Sequence, residues 1–233
     1  MKSAADVIAH LKAIADPQKL SYKAEKYDIQ TSNALGIYHS DLKEMAKQIG
    51  KNSELALELW DSGIYEARLI TSKIFRPKDL TMELAVKWTL EFDTWEICDS
   101  FSMAVFGKSP LAIEIIRVFR THEMEFVKRS SFATMASYGL ADKQAENMVF
   151  ETFFTWIEEA STDERNFVKK AVNWALRTIG KRNVDLRDRA IQVSNKLLAS
   201  QSKSAQWIAS DAIKELTKPN VKMQDHPRSI YRL

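Results

Sequence analysis

The sequence predicts an all-α fold in which antiparallel helix pairs stack side by side into a solenoid. Apolar residues recur with helical spacing along most of the chain, and no stretch holds the period-two alternation of a half-buried strand. Only six glycines and five prolines are present, too few for the many tight turns of an all-β fold. An aromatic residue also opens one helical segment after another. Tyr65, Trp95, Phe126, Phe167 and Trp207 are separated by 30, 31, 41 and 40 residues, each interval about two helices long. A pair of that size cannot bury its apolar face alone and gains a core by stacking on its neighbours.

The elements follow in order. Residues 3–15 form a short apolar-periodic helix ending at Asp16-Pro17, and a less regular segment, 19–35, closes at Leu35-Gly36. Ser40 offers a side-chain cap for 41–49. Gly50-Lys51-Asn52-Ser53 separates that helix from 54–61, Gly63 ends the latter, and 64–75 runs to Arg76-Pro77. Thr81 caps 82–91, and the Trp95 helix, opened by Asp93-Thr94, runs to about Gly107. Pro110 falls where a missing N–H costs nothing, so a helix begins at Ser109-Pro110 and reaches about Arg120. The helix 123–138 stops at Gly139, and 142–160 and 163–180 are divided by Ser161-Thr162, with Gly180 as a C-terminal stop. Asn183 introduces 184–199, Ser202 or Ser204 introduces a helix to about Leu216, and Pro219 ends it. The expectation is one domain over residues 1–218, a right-handed superhelix of the HEAT-like or ARM-like kind, followed by an irregular basic tail, 219–233.

Composition narrows the function classes. With 233 residues and 45% hydrophobic content the chain can bury a substantial core. A single cysteine, Cys98, excludes an internal disulfide framework and fits a reducing compartment; it reads as buried packing, with no histidine nearby in sequence to activate it. No apolar run has the length of a membrane span and the N-terminus lacks a signal-peptide core, so the expectation is a soluble, cytoplasmic protein without membrane contact. His10, His39, His122 and His226 lie without zinc spacing, and no glycine-rich phosphate loop occurs, so neither a metal nor a nucleotide cofactor is indicated. The formal charge of +3 is unevenly spread: residues 1–162 hold 19 Lys and Arg against 24 Asp and Glu, residues 163–233 hold 15 against 7. A basic C-terminal third points to a polyanionic partner or, more plainly, to a solvated surface.

The candidate chemistry centres on Phe92-Asp-Thr-Trp-Glu-Ile-Cys-Asp-Ser-Phe101. On a helix Trp95 and Asp99 project from one flank a turn apart, where a carboxylate beside an aromatic face suits a cationic or cation-developing group. A solenoid sets the second helices of its pairs along one concave wall, which predicts Trp95/Asp99, Arg129, Lys170/Trp174 and Arg177 on neighbouring rungs. Plainer roles exist for each: core tryptophans, a capping aspartate, a repeat-to-repeat partner for Arg129, and a solvated face for Lys169, Lys170, Lys181 and Arg182.

Three stretches carry a family resemblance. Trp95-x-x-x-Asp99, Phe126-Val-Lys-Arg129 and Phe167-Val-Lys-Lys-Ala-Val-Asn-Trp174-Ala-Leu-Arg177, in that order and spacing, resemble the AlkD-type DNA alkylation repair glycosylases, over about Leu35 to Leu216. The resemblance implies a HEAT-like solenoid with a concave DNA-binding face. It implies cleavage of the N-glycosidic bond of cationic alkylated purines, N3-methyladenine and N7-methylguanine, in duplex DNA, without a dedicated base pocket and without cofactor or metal. Asp99 would be the catalytic carboxylate, Trp95 and Trp174 the aromatic faces against the sugar, and Arg129 the arginine facing the lesion. Lys169, Lys170, Arg177, Lys181 and Arg182 would hold backbone phosphates, and Tyr27 and Tyr38 fall toward an N-terminal part of the groove. A monomer with no obligate protein partner is expected. The competing readings are a non-catalytic relative that binds bent or branched DNA and a protein-binding scaffold.

Overall fold

The computed structural model of the chain describes residues 3–27, 29 and 33–232, less the side chains of Lys23 and Tyr27. The side chain of Tyr27, expected near the groove, therefore lies outside the described residues. Among those residues all regular structure is helical. The helices are α1 (Ala4–Ala13), α2 (Pro17–Tyr27), α3 (His39–Ile49), α4 (Ser53–Asp61), α5 (Tyr65–Ile74), α6 (Met82–Leu90) and α7 (Trp95–Ala104). There follow α8 (Ala112–Phe119), α9 (Glu125–Ala141), α10 (Asn147–Ala160), α11 (Asn166–Gly180), α12 (Val184–Leu198), α13 (Lys203–Leu216) and α14 (Arg228–Tyr231). No helix among the described residues is long and apolar enough to cross a membrane.

Side-chain caps set several of the starts. Thr81, Thr94, Asn183 and Ser202 accept hydrogen bonds from the backbone N–H three residues on, opening α6, α7, α12 and α13 as the sequence predicts. Elsewhere the chain chooses differently. Asn52 caps α4, and α3 begins before Ser40, with Tyr38 at the cap position and no side-chain bond. Pro110 does not open a helix: the Ser109 hydroxyl donates to the Phe106 carbonyl at 3.0 Å, closing a 3-10 turn, and α8 starts at Ala112. Helix α9 continues through Gly139, and the Asp142 carboxylate accepts from the N–H groups of Gln144 and Ala145, holding a turn that delays α10 to Asn147.

Contacts divide the chain into two compact units, residues 1–110 and 111–233. In the first, α5 packs against both α3 and α7, and α4 lies against α5. Its centre is aromatic: Phe101 of α7 meets Trp60 at 5.1 Å and Trp88 at 4.9 Å between ring centroids, both edge-on, with Phe92 and Phe106 beside it. The loop into α3 is held by buried Glu66 of α5, whose carboxylate accepts from the N–H groups of Leu35, Gly36 and Ile37. Gly36 sits at φ +79°, and an added Cβ would stand 2.0 Å from the Asp16 carbonyl oxygen, so only glycine fits.

In the second unit, α11 packs on α9 and α13, and α8–α9, α10–α11 and α12–α13 are the close pairs. Phe132, Phe150, Phe153, Phe154, Val172, Leu176, Ile179 and Ile208 fill its core. Several ties between neighbouring repeats share one interval: Arg129 to Phe167, Asn173 to Asp211 and Glu151 to Arg189 each span 38 residues. In the first unit the interval is shorter, with Gly36 to Glu66 spanning 30 and Tyr65 to Glu96 spanning 31. The first-unit intervals equal the aromatic spacings of 30 and 31, and the second-unit interval falls two to three residues short of the spacings of 41 and 40.

Helix α11 ends at Gly180 as expected, but without a positive φ; the glycine's need is space, since a Cβ would lie 2.8 Å from Leu216 Cδ1 and 2.9 Å from Ala190 Cβ. The leucine tip can move and the Ala190 methyl cannot, so Gly180→Ala is expected to cost about 1–3 kcal/mol, read as a lowered denaturation midpoint. The tail beyond Pro219 is not irregular throughout. Gln224 and His226 donate their N–H groups to the carbonyls of Lys181 and Arg182, both at 2.9 Å, and the Asn183 side chain donates to the His226 carbonyl at 2.7 Å. Helix α14 then brings the Tyr231 hydroxyl to Asn147 Nδ2, at 2.8 Å.

Candidate nucleic-acid interface

In the first unit, α7 holds Trp95 and Asp99. Thr94 is extended and its hydroxyl accepts from the Ile97 N–H at 3.3 Å, so the helix begins at Trp95. Ile97, Cys98, Phe101 and Ser102 root it in the aromatic core. The remaining flank leaves Trp95, Glu96 and Asp99 half-buried, with indole and carboxylate one turn apart as the spacing predicts. Cys98 is a buried free thiol. The sequence reading missed what lies beside this flank. The Tyr65 hydroxyl donates to Glu96, His39 Nδ1 stands 3.5 Å from the same carboxylate, and Lys73 Nζ lies 2.8 Å from His39 Nε2. Burial, then the Glu96 carboxylate, push the Tyr65 phenol far above its ordinary range, so it stays a donor.

The same unit carries a cavity of about 800 Å³ lined by His39, Lys43, Lys47, Lys51, Lys73 and Lys108. Counting charge by sequence thirds hid it, because residues 1–162 are acidic in sum. A local signal was available: Lys43, Lys47 and Lys51 follow at intervals of four, one face of a helix.

In the second unit, α9 and α11 carry the other predicted residues. Arg129 is 6% exposed, and its guanidinium donates to the Phe167 carbonyl at 2.6 Å and lies 5.8 Å from the Phe167 ring centroid. It ties the start of α11 to α9. Trp174 is half-buried and borders a cavity of about 580 Å³ whose opposite wall is the tail, with Lys218, Lys222 and Gln224. The basic residues assigned to phosphates have diverse surroundings. Lys170 is exposed and, among the described residues, forms no ion pair; Lys169 places its ammonium 5.2 Å from the centroid of a Trp207 ring. Arg177 and Lys181 both pair with Glu215, and Arg177 stands 3.5 Å from Asp211. Burial works against the Glu215 charge, but Lys181 and Arg177 outweigh it and hold its carboxyl below the usual range.

Arg182 is the clear departure. It is 0% exposed and donates to the carbonyls of Gly139 at 2.7 Å and Ala145 at 3.0 Å, with its guanidinium 4.6 Å from the Phe150 ring centroid. A guanidinium enclosed this way meets no phosphate; it ties two helix ends together. Much of the C-terminal excess of positive charge is thus neutralised or buried. Asp163 before α11 takes part in this, held far below the usual carboxylate range first by Arg165 and then by Lys128, whose ammonium is 2.9 Å away. A carboxyl depressed in the folded state adds stability above its unfolded pKa of about 4, and that stability is lost as pH falls toward the folded value. Stability is therefore expected to fall below about pH 4, and Asp163→Asn to flatten that fall, in acid titrations followed by circular dichroism.

A family model described as DNA alkylation repair enzyme matches residues 7–216. Among solved structures, the chain is similar to a member of "a new family of proteins related to the HEAT-like repeat DNA glycosylases with affinity for branched DNA structures". That likeness has 17% identity and a TM-score of 0.78, covering 95% of this chain and 97% of the other. A designed armadillo repeat protein is more distant, at 12% identity and a TM-score of 0.35 over 76% of this chain and 92% of the other. No curated protein matches the chain.

Proposed function

The chain belongs to the DNA alkylation repair enzyme family, and we propose that it is a monofunctional glycosylase releasing cationic alkylated purines, N3-methyladenine and N7-methylguanine, from duplex DNA. The observation that carries this is the pairing on α7 of a half-buried indole and a half-buried carboxylate one turn apart. A purine alkylated at N3 or N7 already bears positive charge and leaves without a strong general acid. As the C1′–N bond breaks, its electron pair stays with the purine and neutralises it, while positive charge grows on the sugar. Asp99 stabilises that charge and orients the water whose oxygen bonds to C1′ and whose proton is lost. Trp95 offers an electron-rich face to the sugar. The backbone would be held by exposed basic groups such as Lys170, with Arg177 and Lys181 available only in exchange for Glu215.

Methylated duplex DNA incubated with the protein is expected to yield free N3-methyladenine and N7-methylguanine, leaving abasic sites and unmodified purines in place. Absence of both bases, with duplex binding intact, would sink the catalytic reading. It would favour the second one, a binder of branched DNA, which draws on the described affinity of the structural relative.

A further inference from the structure

The basic cavity in the first unit has no role in the chemistry just described. Its cations come from separate elements: Lys43 and Lys47 from α3, Lys51 from the loop after it, Lys73 from α5, and Lys108 from the 3-10 turn after α7. Two of them are held in place, and the other three stand exposed at the rim. Lys51 donates to the carbonyls of Lys73 at 2.8 Å and Phe75 at 2.9 Å, and Lys73 is fixed against His39. Counter-charge is scarce: Glu44 lies 4.0 Å from Lys47 and Glu96 3.5 Å from His39. Among the described residues no ion pair engages Lys43, Lys51, Lys73 or Lys108. Burial, then the charges of Lys108 and Arg76, hold the Lys51 ammonium below its usual range. Burial also lowers Lys73; Glu96 partly offsets this, and Lys43 adds to it. Like charges around one opening repel each other unless an anion enters.

We propose that this cavity is a backbone-phosphate site, gripping successive phosphates of the DNA strand at a position separate from the α7 carboxylate. This rests on the DNA reading above and extends it. One phosphate needs two or three donors, whereas five ammonium groups surround about 800 Å³, the room for a run of backbone. Gly50, Ala46, Met103 and Ala104 supply the remaining lining, with no aromatic for stacking and no amide to read a base edge. The site therefore positions DNA without selecting its sequence.

The test is the salt dependence of duplex affinity for wild type, the double variant K43Q/K108Q, and K87Q as control. Lys43 and Lys108 are exposed and outside the ion pairs, so the double variant keeps its fold, checked by its melting curve. Each lost phosphate contact removes about 0.9 from the slope of log affinity against log salt. The double variant is expected to lose about 2 from that slope. Between 50 and 200 mM salt wild type then loses about tenfold more affinity than the variant does. Wild-type binding with an unchanged slope in the variant overturns this proposal alone. An equal loss in K87Q, whose lysine is exposed and paired with Asp61, overturns it too, by showing a general charge effect. No duplex binding by wild type overturns the DNA reading itself.

Discussion

Asp99→Asn is expected to lower the rate of base release from methylated duplex by about two to three orders of magnitude, the scale of losing a principal electrostatic stabiliser. Asparagine keeps the shape and polarity of the side chain and removes its charge. The helix does not depend on that charge for its start, because the Thr94 hydroxyl caps it, and Phe101 and Ile97 hold it in the core. The variant should therefore fold and bind duplex DNA as wild type does. The loss belongs in the single-turnover rate of free purine appearance, with the duplex dissociation constant unchanged. A release rate within about threefold of wild type would remove Asp99 from the chemistry. Equal loss of rate and affinity would make it a structural residue of α7.

Arg182→Ala should give the largest loss of stability, about 3–5 kcal/mol, seen as a lower denaturation midpoint. The guanidinium is fully enclosed, donates to two carbonyls 2.7 and 3.0 Å away and covers the Phe150 ring. Truncation leaves the Gly139 and Ala145 carbonyls short of donors and opens a cavity beside the ring. Nearby Asp142, held below the usual carboxylate range through its bonds and the Arg182 charge despite the burial that opposes it, would lose its counter-charge. Lysine would restore the charge but not the fork that reaches both carbonyls, so Arg182→Lys should recover only part. Below the unfolding transition the duplex affinity of Arg182→Ala should retain the wild-type salt slope. A slope reduced by about one would return Arg182 to the phosphate contacts.

The helices and their period were legible because the signals are local: an aromatic near the opening of some helices, a hydroxyl or amide cap before others, apolar spacing behind. Thr81, Thr94, Asn183 and Ser202 announced themselves for that reason. Trp95 and Asp99 were legible as a pair since both lie on one helix. What escaped was set by partners 34 to 43 residues distant. Nothing within the sequence neighbourhood of Arg182 says that two carbonyls wait for it, nor that Glu215 answers Arg177 and Lys181. Gly180 was legible as the end of α11, but its crowding by Ala190 and Leu216 is tertiary. The basic cavity failed to register for the opposite reason: five lysines gathered in space sit among enough acids to vanish from a running sum.

The similar intervals of the repeat-to-repeat ties bear on how the chain acquires its structure. Loops of 38 residues are closed at three ties of the second unit and one of 43 at Arg182, so no one of them carries an unusual entropic penalty. Neighbouring pairs can nucleate independently and grow outward, a low-contact-order route that favours fast folding. The Asn147–Tyr231 bond breaks that scale by spanning 84 residues. Closure entropy rises only slowly with length, by about 0.7 kcal/mol for this doubling. The larger requirement is order of assembly: Tyr231 finds Asn147 only after α11, α12 and α13 have stacked between them. Docking of the tail is accordingly the closing event of folding in this unit, and the latch whose release comes first when it opens.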